Sequence, residues 1–346
     1  MLLMSVYDVL DRLRRGLLVI DSEVGGRIGK WTDEQRSRLI ESLIVGIPLP
    51  SFYFDASSSG DGDRWIVVDG FRRLMALRCF VGVDGEPGFR LCGLEYLKEF
   101  ERCRFVDLPR ATQHRILEAN LQVSVICPGA PKEMCFDIVK RVNARGVSLS
   151  EQEIRHMLYS GRGTRFVAGL ARHPAYRALL GRRLVARRML DCELVTRFLA
   201  LVVLDPEESY ISLDSFLNDA LRVLNAMGDC RLDELATRFK LAVERVVGLF
   251  GSNVFKRYVP KEDRFRPQLN KALFASVSFV LSELDSRAFD RMRFDSAFMD
   301  KYKRLFGEKK SCGNPALDCS LTHPGESRAA VLTRLRVLRN FMSQYA

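Results

Sequence analysis

The residues best placed to do chemistry lie in Arg64-Trp65-Ile66-Val67-Val68-Asp69-Gly70-Phe71-Arg72-Arg73-Leu74. The apolar run predicts a strand over 64–68, and Leu74, Leu77 and Val81 predict a helix that begins at Asp69-Gly70. A strand that turns straight into a helix directs the free N–H groups of the first helical turn toward one point, which attracts anions. Gly70 has no side chain to keep a ligand off the backbone. Arg72 and Arg73 add fixed positive charge at the same point. These pieces would build a phosphate site. In the alternative reading Asp69 only caps the helix and the arginines are solvated; the segment alone leaves both open.

A second cluster is basic. Arg177, Arg182, Arg183, Arg187 and Arg188 stand within twelve residues, next to Gly181. Such a patch can follow a nucleic-acid backbone, or it can be a solvated face that pairs with Asp191 and Glu193. Cys312, Cys319 and His323 do not have the spacing of a standard zinc site. His114, His156, His173 and His323 are the only histidines, and none sits in a recognisable nuclease motif.

The elements that must hold these residues divide the chain. Thr32–Val45 reads as a helix opened by a Thr32/Gln35 capping box, with Leu39, Ile40, Leu43 and Ile44 on one face and Gly46 and Pro48 ending it. Leu49–Asp55 and Leu121–Cys127 read as strands, and Ser57–Asp63 as a polar turn. Pro131 opens a helix to about Ala144, Asn143–Gly146 ends it, and Ser150 with Glu153 opens the next, to Tyr159. Helical patterns then follow near 191–204, 212–227, 231–251, 267–284, 287–306 and 326–344. The expected fold class is therefore α+β. A mixed α/β domain spans 1–150 and an all-helical domain 151–346.

Composition limits the remaining possibilities. At 346 residues, 47% hydrophobic and 28% charged, the chain has the make-up of a globular protein with a real core. The opening MLLMSVYDVLDRLRRG reads as an amphipathic helix and not a signal peptide, because Asp8, Asp11 and Arg12 interrupt the apolar residues. Ala272–Ser282, the nearest candidate for a membrane span, is too short to cross a bilayer and long enough for a buried helix. Nine cysteines, an odd number with no CxxC pair, suit reduced thiols and a cytoplasmic protein. The net charge of +11 permits a nucleic-acid partner. Its skew, 42 arginines against 12 lysines, suits phosphate-gripping guanidinium groups and a GC-rich coding bias equally.

Several segments together resemble a known family. Arg27 with Trp31, Leu39–Pro50 (LIESLIVGIPLP), Val67–Leu74 (VVDGFRRL), Arg141–Arg155 (RVNARGVSLSEQEIR) and Asp191–Glu193 with Arg197–Ala200 occur in that order. They resemble, piece by piece, the GmrS-type domain of restriction and phage-defence proteins. That family belongs to the ParB/sulfiredoxin superfamily and carries a DGQQR motif. Asp69-Gly70-Phe71-Arg72-Arg73 departs from the motif by losing both glutamines, which puts NTP hydrolysis in doubt. Gly70–Ala76 looks instead like the GERRxxA phosphate-binding segment of ParB proteins.

The resemblance implies a ParB/sulfiredoxin-like N-terminal domain and a set of roles. Arg27 and Trp31 would line the pocket, Gly70 and Arg73 would meet phosphate, and Asn143 and Gly146 would shape the facing turn. Asp69 would hold Mg²⁺ on the phosphates of an NTP or act as a base, with Arg72 and Arg73 completing the catalytic set. Glu153 reads as a helix cap and Arg155 as the partner of an acid. The expected function is that of a nucleotide-dependent, DNA-acting defence protein, with NTPase or endonuclease activity left undecided. The alternatives are a non-catalytic nucleotide or DNA sensor serving a separate nuclease subunit, or a protein–protein adaptor.

Overall fold

Capping chemistry sets most element boundaries in the computed structural model of the protein. The structure describes residues 1–20, 31–56, 64–83, 85, 88–126, 131–142, 149–181, 189–251, 255–306, 315–322 and 326–345. The chain forms two compact units, Met1–Leu158 and Tyr159–Ala346.

In the first unit, β1 (Leu2–Ser5) gives way to α1 (Val6–Arg14) where Ser5 and Asp8 form a reciprocal capping box. The sequence pattern reads this whole stretch as one amphipathic helix. The structure makes its first residues a strand, because Leu2–Ser5 gain an antiparallel partner in β5, and tertiary pairing outweighs local propensity. After β2 (Leu18–Val19) comes α2 (Asp33–Val45), opened by the Thr32/Gln35 box and ended by Gly46 at φ 88°, as its sequence predicts.

Next are β3 (Phe52–Asp55), β4 (Trp65–Asp69), α3 (Phe71–Val81), α4 (Arg110–Leu117) and β5 (Asn120–Ile126). The unit ends with α5 (Lys132–Val142) and α6 (Glu151–Leu158). The sheet order is β1-β5-β3-β4-β2, with β5/β3 and β4/β2 parallel and the other two pairs antiparallel. Helices α1 to α4 supply Val9, Ile40, Leu43, Leu74, Leu77 and Ile116 to one core, and the sheet supplies Phe52, Val67 and Val123. Each such side chain contributes roughly 1.5–3 kcal/mol by leaving water.

The second unit is helical, apart from one two-stranded ribbon. Its helices are α7 (Arg162–Ala171), α8 (Pro174–Leu180), α9 (Leu190–Val203), α10 (Pro206–Ser209), α11 (Leu213–Ala226), α12 (Asp229–Phe250), α13 (Lys271–Glu283), α14 (Ser286–Phe294), α15 (Phe298–Lys303), α16 (Pro315–Thr322) and α17 (Arg328–Met342). The ribbon, β6 (Lys256–Val259) and β7 (Arg264–Leu269), interrupts the all-helical pattern expected beyond residue 151. Apolar side chains cover every side of α9 and α13, and ten consecutive residues from Ala272 to Leu281 are buried. The apolar stretch at 272–282 is thus the buried helix its length predicts. Among the described residues no helix is long and apolar enough to cross a membrane. The described cysteines are all free thiols.

Candidate functional site

The junction between β4 and α3 is shaped by a register slip. Tyr53 faces Asp69 while Phe54 faces Val67, so β4 carries one extra residue at this point. Val67 and Val68 are consequently both buried, although regular alternation would turn one of them outward. The slip re-aims the end of β4 and leaves the Asp69 side chain about one-third exposed (32%) at the sheet's end.

Gly70 then opens α3 at φ 95°, in the left-handed region that suits glycine. A second constraint comes from below: a Cβ built on Gly70 would stand 2.3 Å from Cδ1 of Phe52. The glycine is therefore required by the protein's own core, whatever lies above it. No side chain caps the first turn of α3, so its leading amides keep their capacity for an anion.

Arg73 is committed inward. Its guanidinium donates to Asp69 Oδ2 at 3.1 Å, to the carbonyl oxygen of Ser51 at 3.1 Å and to that of Pro50, and it lies 4.4 Å over the ring of Phe52. Burial pulls its pKa below the ordinary arginine value, against the pull of Asp69, and an arginine remains charged at neutral pH all the same. Arg73 thus ties the end of the Leu39–Pro50 segment to the Asp69-Gly70 turn. Arg72 stands on the same first turn, half-buried.

Trp31, half-buried, packs against the hydrophobic core of this unit. Arg27, Asn143 and Gly146 lie outside the described residues. The helices on either side of Asn143 and Gly146, α5 and α6, both pack against β4 and are joined by a Lys140–Glu151 ion pair at 2.6 Å. Helix α6 buries four polar side chains, Gln152, Glu153, Arg155 and His156. Glu153 caps its own helix by accepting from the Ser150 amide at 2.6 Å, as its spacing predicts. Arg155 reaches Gln152 at 3.5 Å and lies 5.2 Å over the Phe136 ring, and Gln152 meets His156 Nδ1 at 3.2 Å. Buried polar groups need such partners.

Of the basic cluster, Arg177 is exposed on α8, while Arg182, Arg183, Arg187 and Arg188 lie outside the described residues, as do Cys312 and His323. No three His, Cys, Asp or Glu side chains among the described residues stand close enough to form a metal site.

Reading the residues alone picked out Asp69, Gly70, Arg72 and Arg73 but missed Pro50, Ser51 and Phe52, which form the wall behind them. Pro48 and Pro50, on either side of Leu49, signal a rigid extended entry to β3. Only the sheet order shows that this entry borders the Asp69-Gly70 turn. No curated protein and no solved structure matches the chain. Residues 27–160, which include this site, match the family model described as the GmrSD restriction endonuclease, N-terminal domain.

Proposed function

We propose that this is a restriction-type, phage-defence protein that acts on DNA and binds nucleotide phosphate at the Asp69-Gly70 turn. Its N-terminal unit, on this reading, is a ParB/sulfiredoxin-like domain. One observation carries the proposal: an uncapped helix N-terminus, entered through a left-handed glycine beside a partly exposed carboxylate. The similarity of residues 27–160 to a restriction endonuclease domain supplies the DNA-acting context.

The roles divide between holding and binding. Arg73 positions the turn by locking Pro50 and Ser51 to Asp69. The first-turn amides of α3 and Arg72 meet the phosphate, with Arg27, Trp31, Asn143 and Gly146 completing the pocket. Asp69 either holds Mg²⁺ on the phosphates or is the general base for an attacking water. A single carboxylate with one oxygen held by Arg73 is not a resident metal cage. It suits a Mg²⁺ that arrives on an NTP and takes its remaining ligands from phosphate and water. On this reading Arg177, Arg182, Arg183, Arg187 and Arg188 remain a DNA-facing patch.

The loss of both glutamines from the motif favours a second reading, in which the same site senses nucleotide without turnover and a separate nuclease subunit acts. Phosphate release from the four NTPs with Mg²⁺, with and without DNA, separates the two. Turnover that falls at least 100-fold in Asp69→Ala supports the enzyme. Nucleotide binding without turnover, weakened in Arg72→Ala, supports the sensor. Full turnover in Asp69→Ala overturns the site.

A further inference from the structure

The β6–β7 ribbon is a basic, partly exposed element of the second unit. From Lys256 to Leu269 the ribbon carries five basic residues (Lys256, Arg257, Lys261, Arg264 and Arg266) against two acidic ones, Glu262 and Asp263. Its two faces have opposite characters. On the inner face Tyr258 and Phe265 pair across the strands with ring centroids 5.2 Å apart, and Lys303 of α15 lies 5.5 Å from the Tyr258 ring. Arg257 is tied to Asp318 of α16 at 2.9 Å, and the ribbon closes at its base where the Asn270 amide donates to the Phe255 carbonyl oxygen at 2.9 Å. These contacts hold the ribbon on its helices.

Arg264 and Arg266 alternate with Phe265 and so lie on the opposite face of the ribbon, the one that also carries Arg257, and both are exposed. Arg264 makes an ion pair with Glu262, but both side chains are open to solvent (69% and 44%), so the pair is weak and exchangeable. Arg266 makes no ion pair among the described residues. Lys261 stands at the exposed tip, in a turn closed by Asp263 at φ 44°.

We infer that this ribbon is a DNA-docking element that enters the major groove of duplex DNA and places Arg264, Arg266 and Lys261 on phosphates. The inference rests on the DNA-acting reading above and deepens it by naming the surface. A two-stranded ribbon, with strands about 4.8 Å apart, fits the roughly 12 Å major groove of B-form DNA. The major groove of A-form RNA is too deep and narrow for it. Arginines two residues apart on one strand stand about 7 Å from each other along the ribbon, which lets each reach a separate phosphate. Pro267 costs the ribbon nothing in this role, because both strands are edges and a missing N–H there breaks no central ladder.

The test is fluorescence anisotropy of a labelled 30-base-pair duplex with the full chain, titrated between 50 and 200 mM salt. Wild type is compared with Arg264→Ala/Arg266→Ala, and with Arg222→Ala/Arg231→Ala, which removes equal charge from the exposed faces of α11 and α12. The ribbon variant should bind roughly 10–100-fold more weakly near 0.1 M salt, and its log–log salt slope should fall by about 2, one for each lost phosphate contact. The charge-matched control should bind like wild type, and an unchanged thermal midpoint would show that both variants are folded. If wild type binds duplex DNA and the ribbon variant binds it equally well, the ribbon assignment is overturned while the DNA-acting reading stands. If wild type binds no duplex DNA, that reading falls as well. A preference for duplex RNA, or a ribbon variant that changes the oligomeric state by light scattering, would also overturn the proposal.

Discussion

At Gly70, backbone and packing act in the same direction. Its φ of 95° disfavours any side chain, and the Phe52 ring occupies the space a Cβ would need. Gly70→Ala should therefore lower stability by about 2–4 kcal/mol, summing left-handed strain and overpacking. Chemical denaturation measures this directly, and an unchanged midpoint would mean that Phe52 moves aside at little cost. Arg73 belongs to the same frame. With its guanidinium already bonded to Asp69, Ser51 and Pro50, it shapes the turn through the protein's own groups, and loss of Arg73 acts on Asp69 before it acts on any ligand.

At the scale of elements, a buried carboxylate helps to join α2 to the segment after α3. Glu41 accepts the amides of Glu95, Tyr96 and Leu97 at 3.0, 2.7 and 2.8 Å. Burial alone would raise its pKa, but the three amides and Lys98 outweigh it and hold the carboxyl below the usual value. A depressed folded pKa gives stability that is full above the unfolded value, near 4.3, and is lost as pH falls through the folded one. Glu41→Gln should cost about 1–3 kcal/mol at pH 7. The gap between wild type and variant should shrink as pH is lowered from 5 to 3; a constant gap would show that the charge contributes nothing. Helix α2 itself was legible from its capping box and Gly46. The N-terminal strand and the β6–β7 ribbon were not. Leu2–Ser5 carries the same apolar character as the helix that follows, and Arg264–Leu269 has too few alternating residues to separate it from helix.

For the whole molecule, the two units are stabilised differently. The first combines an apolar core around a mixed sheet with separate buried charges such as Glu41 and Arg155, whereas the second links charges of its helical core into one network. Glu193 accepts from Arg197 at 2.9 Å and Lys271 at 2.7 Å, and Glu326 from Arg197 at 2.6 Å and Arg334 at 3.4 Å. Burial works against the charge on Arg197, but Glu326 and Glu193 outweigh it and hold its pKa above the ordinary value. Three cations share two carboxylates, so removing one acid leaves buried charge uncompensated. Glu326→Gln should destabilise the second unit by about 3–5 kcal/mol, a loss that calorimetry would detect as a lower transition temperature. A change under 1 kcal/mol would mean that water replaces the carboxylate.

Local signals along the chain set the α+β layout, the helix boundaries that depend on caps a few residues away, and the Asp69-Gly70 turn with its two arginines. Those features are local: a capping box, a left-handed glycine and an apolar run each act within one or two turns of chain. Packing across the fold placed Phe52 beneath Gly70 and turned Arg73 inward. It also decided that Val68 is the extra residue of a slipped register and that the basic stretch after residue 255 forms a ribbon. Each of these depends on strand pairing or packing between residues far apart in the chain, and pairing partners are chosen by the buried surface they share, which no local pattern records.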